Sequence, residues 1–263
     1  MSKKYIGVFD SGLGGLTTVK EIIRQLPDEN IVFLGDTLHM PYGNKTTEEI
    51  ISYSLENVEV LKQYDLKAIV IACNTSDANA REVLKKYNED IPIFGVINAA
   101  ALQADELSVN HRIGIIATKS TVDSGKYVEA LHSLNKKNRV YPIACPKLVP
   151  MIEKGMFLSD PKQMKETLAE YLEPLKEKDI DTLILGCTHY DILWNLSKEI
   201  MPGLMIVSSS RCVVAELKRY LKENDLLSKN KKAQRIYMVT SDPEDFEKTA
   251  ALLIDDIEIK RIA

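Results

Sequence analysis

Asp65-Leu66-Lys67-Ala68-Ile69-Val70-Ile71-Ala72-Cys73-Asn74-Thr75 and, further along, Asp179-Ile180-Asp181-Thr182-Leu183-Ile184-Leu185-Gly186-Cys187-Thr188-His189 share one design. Each is an apolar run of strand length, then a small residue, a cysteine, and side chains that carry hydroxyl, amide or imidazole groups. A near-continuous apolar run predicts a strand buried on both faces, as in a parallel sheet. Each cysteine then stands at the carboxyl end of a strand, where open α/β sheets place their ligands. Two thiols on equivalent strands can face one substrate from opposite sides, which suits taking a proton from one face of a carbon and returning one to the other.

The flanking sequence alternates strands and helices. Tyr5–Phe9 predicts a strand, followed by the turn Asp10-Ser11-Gly12-Leu13-Gly14-Gly15 and a helix to about Leu26, before Pro27. Ile31–Leu34 predicts the next strand. Thr46 with Glu49 forms a capping box, and Ile50, Ser54, Val58 and Leu61 line one face of the helix it opens. A strand at 68–72, a helix at 78–87 and a strand at 91–96 follow. Ile113-Gly114-Ile115-Ile116-Ala117-Thr118 then echoes Ile6-Gly7-Val8-Phe9-Asp10-Ser11 in the same order as the cysteine pair. The two echoes predict an internal duplication of about 110 residues. The end of the chain adds a helix, a strand at 236–240 and a helix at 243–254, packed back on the first half. The expected fold class is α/β, with two pseudo-symmetric domains, each a mainly parallel sheet flanked by helices. Their expected extents are 1–97 plus 208–263 for the first and 98–207 for the second.

Composition narrows the function. At 263 residues, 45% hydrophobic and 27% charged, the chain has the make-up of an ordinary soluble protein with room for a substantial core. A net charge of −4 gives no broad attraction for nucleic acid, and the cluster Lys229–Lys232 reads as a solvated loop. Met1-Ser2-Lys3-Lys4 leads into a strand without signal-peptide character, and no stretch approaches the ~20 apolar residues of a membrane span. The expected compartment is the cytoplasm, with Cys73, Cys145, Cys187 and Cys212 as free thiols.

A free thiol is only about 3% ionised at pH 7, so a thiol base needs help. Helix N-termini at Cys73 and Cys187 are expected to lower the pKa, with His189 aiding the second. Charge developing beside a carboxylate needs preorganised donors, for which Ser11, Asn74, Thr75 and Thr188 are candidates. Cys145 and Cys212 lack such pairing and read as structural. The glycine turn matches neither G-x-G-x-x-G nor a P-loop and reads as a tight strand-to-helix turn; Asp10, an acid ending an apolar strand, stands out. Cys187-x-His189 is too close for common zinc spacings, and no histidine cluster forms, so no metal site is expected. A cysteine hydrolase built on Cys187 and His189 would leave Cys73 unexplained.

Five ordered motifs resemble glutamate racemases, of the aspartate/glutamate racemase group. They are Gly7–Thr17; Gly35-Asp36-Thr37 with Pro41-Tyr42-Gly43; Ala72-Cys73-Asn74-Thr75; Cys145-Pro146-x-x-Val149-Pro150-x-x-Glu153; and Leu185–Tyr190. The resemblance implies interconversion of L- and D-glutamate without cofactor, supplying D-glutamate for peptidoglycan, from a cleft between the domains. It implies Cys73 and Cys187 as the acid/base pair, Asp10 assisting Cys73, and His189 with Glu153 assisting Cys187. Asp10-Ser11, Tyr42-Gly43, Asn74-Thr75 and Thr188-His189 would hold the substrate. A homodimer is the implied assembly. The alternatives are racemisation of another acidic amino acid and a catalytically silent binding or regulatory homologue.

Three places depart from the pattern. Ser76-Asp77 replaces small residues after the first cysteine motif, and Asp77 is expected to face away from the pocket, where it would otherwise repel a dicarboxylate. Asp191 stands where proline is common, and Val207-Ser208-Ser209-Ser210 replaces a stretch that often carries an aspartate.

Overall fold

The structure, a computed structural model, describes residues 4–229, 232–254 and 257–262. The first three residues and the middle of the Lys229–Lys232 cluster lie outside them. The first half runs β1 (Tyr5–Asp10), α1 (Gly15–Gln25), β2 (Asn30–Gly35), α2 (Thr47–Leu61), β3 (Leu66–Ile71), α3 (Asn74–Tyr87) and β4 (Ile93–Gly95). Helix α4 (Val96–Leu107) then leads to β5 (Arg112–Ala117), α5 (Lys119–Asp123), α6 (Lys126–Leu134), β6 (Arg139–Ala144), α7 (Leu148–Glu153), α8 (Met156–Ser159), α9 (Pro161–Lys176) and β7 (Thr182–Gly186). After α10 (Trp194–Ile200) and β8 (Met205–Ser208), α11 (Ser209–Glu223) returns the chain to β9 (Arg235–Val239), α12 (Pro243–Ala250) and β10 (Ile259–Arg261).

Two parallel sheets result. One has the order β10-β9-β2-β1-β3-β4, the other β6-β5-β7-β8. The second repeats the order β2-β1-β3-β4 of the first, strand for strand, so the two echoes in the sequence occupy equivalent positions. Registers agree at the functional end: Phe9 pairs with Ile71 beside Cys73, and Ala117 pairs with Gly186 beside Cys187. The last strands add to the first sheet, β9 beside β2 and β10 beside β9.

Burial explains why these runs are strands. Every residue of β1, β2 and β3 is buried, because helices cover both faces of the sheet. Each fully buried Ile, Leu or Phe side chain contributes about 1.5–3 kcal/mol. One apolar core continues from the first sheet into the second through α4 (Val96, Ala100, Ala104) and α11 (Val213, Leu217, Leu221). These two helices are also the two passages of the chain between the sheets.

Local differences from the sequence reading have simple causes. The expected capping box is present, with Thr46 and Glu49 exchanging hydrogen bonds. Helix α3 starts at Asn74, earlier than expected, because Cys73 itself is the N-cap residue and supplies no side-chain cap for sequence to reveal. Strand β4 is shorter than 91–96 because Val96 already opens α4. Helix α12 stops at Ala250 and gives way to turns before residue 254.

Candidate active site

The carboxyl ends of β1, β3, β5 and β7 converge on one small cavity of about 50 Å³. Cys73 lines it from the first sheet and Cys187 from the second, both buried, at 5% and 6% exposure. The Cys73 thiol points to Ser11 Oγ at 3.7 Å. Cys187 Sγ lies 3.7 Å from His189 Nδ1, and His189 Nε2 meets Glu153 Oε1 at 2.5 Å. The second sulfur thus heads a thiol–imidazole–carboxylate line. All four cysteines are free.

Asp10 stands behind the cavity wall instead of lining it. Its Oδ1 accepts from the Gly12 N–H at 2.9 Å and its Oδ2 from the Thr188 hydroxyl at 3.2 Å. Burial pushes its pKa up to about 6, opposed by His189 and by these two hydrogen bonds. The Cys73 thiol is pushed up to about 12, first by burial and then by the negative charge of Asp10, which outweigh contacts with Ser76 and Ser11. Burial of the sulfur thus opposes the lowering expected at Cys73 from the start of its helix. His189 moves the other way. Burial opposes its charge, yet its bonds to Cys187 and Glu153 hold it well above the ordinary histidine range, as an imidazolium.

The glycine turn serves close approach. A Cβ at Gly14 would collide with Thr188 Oγ1 and His189 Nδ1, and one at Gly15 with Asp10 and Phe33. None of Gly12, Gly14 and Gly15 needs a positive φ. The turn after β1 is bare so that the turn after β7 can seat on it. Other bonds cross between the halves beside it: Tyr127 donates to Asn74 Oδ1 at 2.6 Å, and Thr75 Oγ1 meets Thr118 Oγ1 at 3.0 Å.

A family match decides what this arrangement belongs to: residues 6–217 match the family described as Asp/Glu/Hydantoin racemase. The chain belongs to that racemase family. Among its relatives, the glutamate racemase of Sulfurihydrogenibium sp. is 42% identical over 98% of this chain and 96% of its own. The crystal structure of glutamate racemase isoform RacE1 from Bacillus anthracis superposes with a TM-score of 0.95 at 38% identity, covering 100% of this chain and 98% of that one. Glutamate racemase from Francisella tularensis, solved in complex with D-glutamate, superposes with a TM-score of 0.91 at 33% identity, over 100% and 97%.

Within this racemase fold the residues expected at the site fall into two groups. Ser11, Tyr42, Gly43, Cys73, Asn74, Thr75, Cys187, Thr188 and His189 line the cavity, while Asp10 and Glu153 back it. The Tyr42 hydroxyl is already committed. It donates to Asp36 Oδ2 at 2.5 Å and accepts from Asn57 at 3.1 Å, and Asp36 is held in turn by His39 and Thr240. Tyr42 therefore offers the cavity its ring and backbone.

Sequence reasoning gave no site role to Thr118, Lys119, Cys145, Pro146, Val149 or Pro150, all of which line the cavity. Thr118 carried a signal, because the first echo pairs it with Ser11. Cys145, expected to be structural, lies in the cavity wall, its thiol toward the Ile143 carbonyl at 3.6 Å and its pKa pushed up to about 12 by burial and by Cys187. Asp77 faces away from the thiols, as expected: its Oδ2 accepts from the Ile97 N–H at 2.7 Å at the start of α4. Among the described residues no three His, Cys, Asp and Glu side chains group as a metal site, and no helix is long and apolar enough to cross a membrane.

Proposed function

We propose that this protein interconverts L- and D-glutamate by proton transfer between two thiols, without cofactor, and that it supplies D-glutamate for peptidoglycan. The observation that carries the reading is the placing of Cys73 and Cys187, from equivalent strands of the two sheets, in the wall of one cavity. One sulfur, as thiolate, takes the Cα proton. The C–H electron pair passes toward the substrate carboxylate, and the opposite thiol protonates the other face of the carbon. Hydrogen-bond donors around the cavity stabilise the developing charge, and the roles of the sulfurs reverse in the opposite direction.

The elevated pKa of Cys73 fits such a cycle. An amino-acid substrate brings an α-ammonium into the cavity, and a cation close to a buried sulfur favours the thiolate. Asp10 assists the Cys73 side, and the His189–Glu153 pair answers charge on Cys187. Strand membership of the two sheets supports the division into 1–97 plus 208–263 and 98–207. A homodimer in the cytoplasm is the assembly and compartment we assign.

Incubation of the purified protein with L-glutamate in D₂O, without added cofactor, tests the reading. Loss of optical rotation together with deuterium at Cα of the new D-glutamate is the expected result. No exchange in a folded, reduced protein would sink it and turn the search to other acidic amino acids, then to ligand binding without turnover.

A further inference from the structure

One side chain from the second half touches both cysteine motifs. Tyr127, near the start of α6, is buried in the apolar core that the two sheets share. Its ring packs beside Gly186, the residue before Cys187: a Cβ there would stand 3.2 Å from Tyr127 Cε2 and 3.0 Å from the Ile116 carbonyl oxygen. Its hydroxyl donates to Oδ1 of Asn74, the residue after Cys73, at 2.6 Å. The small residues before the two cysteines therefore differ for a reason. Ala72 precedes Cys73, whereas Gly186 leaves the room that the tyrosine ring takes up.

The Asn74 amide is held at its other end too. Asn74 Nδ2 donates to Ser209 Oγ at 3.2 Å, and Ser209 opens α11. Asn74 is itself the first residue of α3, and Tyr127 the second of α6. Three helices thus begin around a single amide, and all three side chains are buried. The torsion that turns an asparagine amide is soft. Contacts at both ends fix its plane, and one alone lets it swing. An amide has two donor and two acceptor positions. Ser209 and Tyr127 take one of each, which leaves one N–H and one lone pair for a ligand in the cavity that Asn74 lines. Burial holds the Tyr127 hydroxyl protonated far above neutral pH, so it stays a donor. Tyr127 does not itself line the cavity, and its effect on a ligand passes through Asn74.

We propose that Tyr127 is a positioning residue for the substrate: braced on Gly186, its hydroxyl fixes the Asn74 amide against Ser209 and so sets a ligand contact of the first half relative to the strand that ends beside Cys187. The proposal rests on the racemase reading, with Asn74 among the groups that hold the substrate. It explains why a tyrosine stands where a phenylalanine ring would fill the same space.

The test compares the full-length wild type with Tyr127→Phe, Asn74→Ala, the Tyr127→Phe/Asn74→Ala double variant and Ser209→Ala, in racemisation of L- and D-glutamate and in thermal melts. Tyr127→Phe keeps the ring on Gly186 and removes only the hydroxyl. It is expected to raise KM about five- to tenfold for both enantiomers with kcat within about twofold, the signature of a contact loosened in ground and transition state alike. On the Asn74→Ala background the same change is expected to leave kcat/KM within about twofold, because the group it positions is gone. Ser209→Ala is expected to raise KM about two- to fivefold through the other end of the amide. A purely structural tyrosine would lower the melting temperature without moving KM, or lower kcat/KM equally with and without Asn74. Either result overturns the proposal, as does a fall in kcat at unchanged KM. Should Tyr127→Phe not fold, Ser209→Ala carries the comparison, and unchanged KM there overturns it too. A wild type inert toward glutamate removes the racemase reading and this proposal together; an active wild type whose Tyr127→Phe variant is unaffected removes only the proposal.

Discussion

The two thiols have the same address in a duplicated frame and different company. Cys73 ends β3 and starts the 14-residue helix α3; its neighbours are the Ser11 hydroxyl and the negative charge of Asp10. Cys187 follows β7 and starts only a six-residue 3-10 helix, with His189, bonded to Glu153, at its side. Duplication reproduced the strands and the sulfurs but not the groups that manage charge. A carboxylate backs one arm, and an imidazole paired with a carboxylate stands by the other. On the two-thiol reading, the two directions of proton transfer would meet different surroundings although the substrates are mirror images.

The largest effect expected is loss of either sulfur. Cys73→Ser and Cys187→Ser should each reduce racemisation about 10³-fold or more, because a hydroxyl, far less acidic than a thiol, does not ionise to provide an anionic base near neutral pH. Near-normal turnover by either variant in a polarimetric assay would break the comparison at its root.

Asp10→Asn should lower kcat roughly 10²-fold while stabilising the fold at neutral pH. The carboxyl titrates at about 6 against an ordinary 3.8, so its stability contribution is complete below about pH 4 and is lost as pH rises through 6. Above that, burying the carboxylate costs up to about 3 kcal/mol. Urea unfolding should therefore show Asp10→Asn more stable by about 1–3 kcal/mol at pH 8 and equal to wild type at pH 3.5. Equal stability at both pH values would show that Asp10 is not strained by its burial.

On the other arm, Glu153→Gln should lower kcat about 10–30-fold and move the alkaline limb of its pH profile to lower pH. The sign follows from His189, whose raised pKa is supported by Glu153, so the imidazolium is lost earlier once that carboxylate is gone. A profile that does not move would mean that the histidine charge is unimportant to turnover.

The smallest effect on turnover belongs to Asp77. Asp77→Ala should leave kcat within about twofold and cost about 1–2 kcal/mol of stability, the price of an N-cap, in a thermal melt. A large rise in activity would show that its charge reaches Cys73 after all.

Much of this was legible in the chain because apolar runs and cysteines lie next to each other in sequence. The strands ending at Cys73 and Cys187, the capping box at Thr46 and the equivalence of the two sheets needed only local pattern. The hydroxyl and amide groups after each cysteine follow from the same local reading. What was not legible depends on contacts between residues distant in the chain. The direction of the Cys73 shift is set by burial against Tyr42 and Ile50, which are remote from it in sequence. The bareness of Gly14 is explained by Thr188 and His189, which are remote in sequence. The commitment of the Tyr42 hydroxyl to Asp36 and Asn57 leaves no trace in spacing, since Asn57 reads simply as a position on helix α2.

The seclusion of both sulfurs has one more consequence. On the two-thiol reading each turnover leaves the protein as the mirror image of how it began, with the proton on the other cysteine. Cys73 and Cys187 are only 5% and 6% exposed, which on that reading would slow the trading of that proton with solvent. On that reading the protein would carry a memory of the last enantiomer it released. In concentrated substrate, erasing that memory would compete with the next encounter, and the flux of L to D would become a function of the history of each molecule.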